Sequence, residues 1–188
     1  MLSTLEDYFI IENSDITFEK MLNSSYLSKE RADELKKSKV LLIPLEDFRE
    51  NIHLCFYQGA RELSIYLNEN NPELSFDLCI EKTDYQELTL HGEEFRLGVF
   101  LLQNIIAPVF VGVIVKYINT MLFAKKEDTI SIDLIITKQD PTDESLRIKY
   151  RGNPIDFEEK VNKQLGIYSK SGKFVEGNSS GTKINELF

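Results

Sequence analysis

Apolar and polar positions change rhythm several times along this chain, and each change marks a predicted element. Asp7-Tyr8-Phe9-Ile10-Ile11 reads as a short strand or a docking segment. Ser28 to Lys37 reads as a short charged helix, with Ser28 as its cap and lysines in its last turn. Val40 to Ile43 is a brief strand, and Pro44 suits the first turn of a helix, where its missing N–H costs nothing. From there Phe48, Ile52, Cys55, Phe56, Gly59, Leu63 and Leu67 recur at steps of three and four, which predicts one helix over about 45–70. Asn70-Asn71-Pro72 stops it.

Beyond that stop the period becomes two. Leu74, Phe76, Leu78 and Ile80 alternate with polar neighbours, as do Leu88 and Leu90, predicting a strand pair with a turn near Lys82 to Tyr85. A helix over about 94–123 is expected next. Alternation returns at Ile130, Ile132, Leu134 and Ile136 and again at Leu146, Ile148 and Tyr150, across a turn at Asp140-Pro141-Thr142-Asp143. Pro154, Phe157, Val161 and Leu165 carry a further short helix. After Gly166 the chain turns to Ser, Gly, Lys and Asn, which predicts a flexible tail or an exposed hairpin over 167–188.

Two of these stretches resemble each other. Residues 74–84 and 130–140 share six of eleven positions without a gap, including Ser75/Ser131, Asp77/Asp133 and Lys82/Lys138. Each is followed by a second alternating strand, a glycine (Gly92 or Gly152) and a helix. The expected fold is therefore α+β: a four-stranded, mostly antiparallel sheet made of two strand–strand–helix units, about 74–123 and 130–166, packed on a central apolar helix and the long helix on its N-terminal side. In domain terms this gives an N-terminal helical or irregular segment at 1–39, a core at 40–166 and the tail. Parity places Phe76, Leu78, Ile80, Ile132, Leu134 and Ile136 toward the helices. Asp77, Cys79, Asp133, Arg147, Lys149 and Arg151 then share the opposite face.

The most unusual feature is Leu97 to Val115, about nineteen residues without a charge. A hydropathy window would read it as a membrane span. Gln103, Asn104 and Pro108 interrupt it, and a span would split the sheet, so the expectation is a helix buried in the domain centre. Insertion of the 97–115 segment into a membrane is the alternative.

Composition refines this picture only modestly. With 42% hydrophobic and 28% charged residues the chain is neither disordered nor fibrous. The formal charge of −9 is uneven: residues 1–96 carry −10 and residues 97–188 carry +1. An acidic first half opposes nucleic-acid binding, so no nucleic acid is expected. Two cysteines and an N-terminus that meets acids at once predict the reducing cytoplasm and no disulfide scaffold.

Candidate chemistry is sparse. Dinucleotide, P-loop and HExxH motifs are all missing from the sequence, so no cofactor and no metal are expected. On a helix, His53 and Cys55 would diverge, and a zinc site would have to recruit His91 and Cys79 from a distance. Asp77 and Asp133, equivalent in the two units, could share a cation or divide acid and base roles if their strands were neighbours. Solvent-side acids paired with Arg147 or Lys149 are the simpler reading. The terminal Leu187 and Phe188 could dock in a groove on another protein. Together these point to a non-catalytic protein-interaction or assembly module, binding another protein or itself through Asp77, Asp133, Arg147, Lys149, Arg151, Leu187 and Phe188. An enzyme or metal protein using the Asp77/Asp133 face is the further alternative.

Overall fold

The computed structural model describes residues 6–89, 94–103, 106–137 and 145–171. In chain order the elements are β1 (Tyr8–Ser14), α1 (Phe18–Leu22), α2 (Lys29–Leu35), β2 (Val40–Ile43), β3 (Leu45–Arg49), β4 (Ile52–Tyr57), α3 (Ala60–Asn70), a 3-10 turn (Pro72–Leu74), β5 (Phe76–Leu78), β6 (Glu87–Leu88), β7 (Glu94–Gln103), α4 (Ala107–Thr120), β8 (Thr129–Thr137), β9 (Ser145–Gly152) and α5 (Pro154–Ser171). They build a six-stranded mixed sheet in the order β1-β9-β8-β7-β2-β5 and a three-stranded sheet in the order β3-β4-β6.

This overturns the expected four-stranded, mostly antiparallel sheet. The described residues form an α+β fold with five α-helices and two sheets, and the larger sheet contains two parallel pairs, β7/β8 and β2/β5. The strand–strand–helix layout fails in its first unit. There, β5 pairs with β2, β6 joins β4 in the smaller sheet, and residues 94–103 form a strand where a helix was expected. The second segment is an antiparallel hairpin, β8/β9, followed by α5; its turn, 138–144, lies outside the described residues.

The apolar run explains the first error. β7 sits between β8 and β2 with Phe100, Leu101 and Leu102 completely buried, so both faces of its second half are apolar and no alternation is left there in the sequence. At Ile106 the chain turns into α4, and Pro108 falls in the first turn of that helix, where no N–H partner is lost. One uninterrupted hydrophobic stretch is thus a strand and a helix in succession. Among the described residues no helix is long and apolar enough to cross a membrane.

The expected 45–70 helix fails for a different reason. Its first half is the β3/β4 hairpin, and only Ala60–Asn70 is helical. Ile-His-Leu-Cys-Phe-Tyr over 52–57 is rich in residues that suit a pleated strand, while Gly59 at φ 93° lies in the left-handed region and cannot continue a helix.

Two cores lie on the two faces of the large sheet. On one, α3, α4 and α5 cover Val40, Leu42, Phe76, Phe100, Leu102, Ile132, Leu134, Ile136, Ile148 and Tyr150. On the other, α1 and α2 cover Leu41, Ile43, Leu101, Ile135 and Cys79 with Met21 and Leu35. A register shift between Arg96 and Gly98 leaves Gly98 at φ 110°, and a Cβ there would sit 2.8 Å from Leu42 Cδ1. Glycine is required at this bulge. Among the described residues, α1 and α2 cover this face from β5 as far as Ile135 of β8, and the rest of it, along β8, β9 and β1, carries polar side chains.

Candidate functional site: the charged half of the sheet

Cross-strand register fixes what stands on that part of the face. β9 contributes Arg147, Lys149 and Arg151, whose partners on β8 are Ile135, Asp133 and Ser131 and on β1 are Glu12, Ile10 and Tyr8. β7 adds Glu94 and Arg96. Arg147 donates to Asp133 Oδ2 from Nε at 3.1 Å and Nη2 at 2.5 Å, and its Nε lies 3.9 Å from Glu12. Lys149 Nζ lies 2.6 Å from Glu12 Oε1. Arg151 bridges Glu94 at 3.3 Å and Asp7 at 3.5 Å, and Glu94 also holds Arg96 at 3.3 Å. The Arg96 guanidinium in turn lies over the Tyr57 ring, 5.9 Å from its centroid.

Four acids and four bases thus form two connected runs, Asp133-Arg147-Glu12-Lys149 and Asp7-Arg151-Glu94-Arg96. Their side chains are held close against the sheet: Glu94 and Arg151 are each 12% exposed and Asp133 19%. Tyr8 and Tyr57 flank them, and both phenols are pushed above their usual range, first by burial and then by the Asp133 and Glu94 carboxylates. Neither phenol is acidic enough to serve as a base at neutral pH. The arrangement presents donors, acceptors and aromatic rims.

Asp77 belongs elsewhere. It lies on the same face as Asp133, since Leu41, Leu101 and Ile135 link their registers, but β2 and β7 stand between the two strands. Three interstrand steps separate the carboxylates by about 14 Å, so they cannot share an ion. Arg31 of α2 claims Asp77 instead, with Nη2 at 2.7 Å and Nη1 at 3.1 Å, and it also donates to the carbonyls of Leu78 and Ile80 at 2.9 Å each. Glu34 accepts from the same guanidinium at 2.9 Å and from Lys82 at 3.0 Å. This clamp ties α2 to the β5 edge, away from the Asp133 cluster.

The remaining candidates separate as well. Cys55 and Cys79 are both buried, and burial pushes the Cys79 thiol up to about 11. His53 and Cys55 lie on β4, where spacing by two puts them on one side of the strand and not apart as a helix would. Even so, His53 is exposed beside Asp47 at 3.1 Å while Cys55 is buried. No group of three metal-ligating side chains occurs among the described residues. His91, Leu187 and Phe188 lie outside them.

Sequence reading missed Arg31, Glu12, Glu94, Arg96, Tyr8 and Tyr57. Glu12 and Tyr8 were open to the same parity argument as Arg147, because Tyr8, Ile10 and Glu12 alternate with Phe9 and Ile11. Glu94 and Arg96 were hidden by the helical assignment of 94–123. No family model matches the chain, and no curated protein or solved structure shows significant similarity to it.

Proposed function

We propose that this protein is a non-catalytic protein-binding or assembly module whose contact surface is the charged half of the large sheet. One observation carries the reading: two connected runs of guanidinium, ammonium and carboxylate groups, flanked by two tyrosines, stand on a sheet face beside the part that the described helices α1 and α2 cover. Arginine and tyrosine are the residues that dominate protein contacts, and groups already fixed by one another lose little side-chain freedom when a partner arrives. Mixed sign favours a partner with its own interleaved charges over a polyanion or a lipid surface.

The test is a comparison of three baits. Lys149→Glu sets a new carboxylate beside Glu12 and Asp133, whereas Lys163→Glu makes the same change of net charge on the exposed side of α5. The protein captured by the wild type at low salt is lost from Lys149→Glu and retained by Lys163→Glu, with circular dichroism unchanged in both. Equal capture by all three baits, or appearance of a turnover activity that Lys149→Glu abolishes, refutes the assignment.

A further inference from the structure

The two edges of the six-stranded sheet are built differently. β5, at one edge, has three residues and is tied down by Arg31. β1, at the other, has seven residues and pairs along its whole length with β9, and no described strand pairs with its outer side. Edges are ordinarily blunted by proline, lysine, a bulge or short length, because their free N–H and C=O groups template another strand. Tyr8-Phe9-Ile10-Ile11-Glu12-Asn13-Ser14 has neither proline nor lysine, its ladder with β9 is unbroken, Glu12 is its one charge, and Tyr8 and Ile10 stand exposed at 40% and 42%.

We propose that β1 pairs with β1 of a second copy of this chain across a two-fold axis through Ile10, joining the two six-stranded sheets edge to edge. A two-fold perpendicular to the sheet makes the pair antiparallel and keeps both helix layers on one side. Only registers centred on a residue keep facing side chains on the same face. Of these, centring on Ile10 sets Ile10 against Ile10, Phe9 against Ile11, and Glu12 against Tyr8. Centring on Glu12 would oppose two carboxylates, and centring on Ile11 would set Ile10 against Glu12. Phe9 and Ile11 already pack on the helix-side core, so their pairing continues that core from one copy to the next. On the other face the charged halves of the two copies become one surface.

The experiment is mass-resolved sedimentation of the full chain and three variants, followed by cross-linking. The wild type sediments at twice the 21.8 kDa of one chain. Ile10→Glu sediments as one chain with an unchanged circular dichroism spectrum, because the new carboxylate faces Lys149 within its own sheet and its symmetry mate across the axis. Ile10→Cys is the positional test: residues facing one another across an antiparallel pair have Cα atoms about 4.5–5.5 Å apart, within disulfide reach. Mild oxidation converts Ile10→Cys to a covalent dimer, whereas Asn13→Cys, which this register sets opposite Asp7, stays uncross-linked. A wild-type chain that sediments as a monomer overturns the proposal, whether its edge is bare or taken by its own residues 172–188. A dimer that survives Ile10→Glu, or one in which Ile10→Cys fails to cross-link, overturns it equally.

Discussion

Val111→Lys examines the centre of the fold through a charge. Val111 is completely buried on α4 among Phe110, Ile114 and the strands beneath them, so an ammonium there has no route to water. A lysine in an unfolded chain titrates near 10.4, and in such a core it releases its proton at about 5–6. The unfolded chain therefore binds more protons than the folded one everywhere between those values. Stability relative to wild type falls by about 1.4 kcal/mol for every pH unit below 10.4 until the folded-state value is reached. At pH 7 that amounts to about 5 kcal/mol, and forcing the longer side chain into a packed site adds about 1–3 kcal/mol more. A domain with the usual 5–15 kcal/mol is left marginal or unfolded. Chemical denaturation of both proteins at pH 7 and pH 9.4 reads the effect: the gap narrows by about 3 kcal/mol at the higher pH, because only one unit of the proton penalty then remains. A variant within 1 kcal/mol of wild type at pH 7, or a gap that ignores pH, would refute the burial of α4.

Three other substitutions follow from single contacts. Gly98→Ala places a Cβ 2.8 Å from Leu42 Cδ1 on a backbone at φ 110° and costs about 1–3 kcal/mol in a thermal or urea melt. Arg31→Met removes the donor shared by Asp77, Leu78 and Ile80 and costs roughly 2–3 kcal/mol, below the range for a fully buried pair because the Asp77 side chain is 37% exposed. Arg31→Lys does not restore the loss, since an ammonium cannot reproduce the fork. Glu87 accepts from the Gly59 and Arg61 N–H groups at the start of α3 and from the Tyr85 hydroxyl. Burial pushes its carboxyl up, but these donors outweigh burial and hold it below its ordinary value. Its contribution is therefore present above the usual carboxylate range and is lost as pH falls through the lowered value. Glu87→Gln is about 0.5–1 kcal/mol less stable at neutral pH, and the difference disappears in acid melts.

Legibility in the sequence followed the environment of each element. α2 could be read because Ser28 caps it, accepting from the Arg31 N–H at 3.1 Å, and because its outer face is charged. β8 and β9 could be read because one face meets helices and the other carries Asp133, Arg147 and Lys149, so alternation survives. β7 could not, since burial of its second half on both faces erases the alternation there, and the nearness of α4 in the sequence lengthened the apparent helix. The β3/β4 hairpin was masked by accident: Phe48, Ile52, Cys55 and Phe56 fall at helical spacing although Cys55 and Phe56 are both buried next to each other on a strand. The bases of the charged face were legible by parity along β9. The side of Glu12 was legible by the same parity on β1, but its meeting with those bases, and that of Glu94 on β7, required the pairing of β1 with β9 and of β7 with β8, which is long-range information.

The reading of that face as a contact surface is tested most directly by hydroxyl-radical footprinting of the wild-type chain, alone and with the protein it captures at low salt. Tyr8 and Tyr57 border the charged lattice, while Ile65, Met121 and Phe123 lie exposed elsewhere on the molecule. Bound partner is predicted to suppress labelling of Tyr8 and Tyr57 and to leave Ile65, Met121 and Phe123 as reactive as in the free protein. Protection confined to Ile65, Met121 and Phe123, with both tyrosines unchanged, would contradict it.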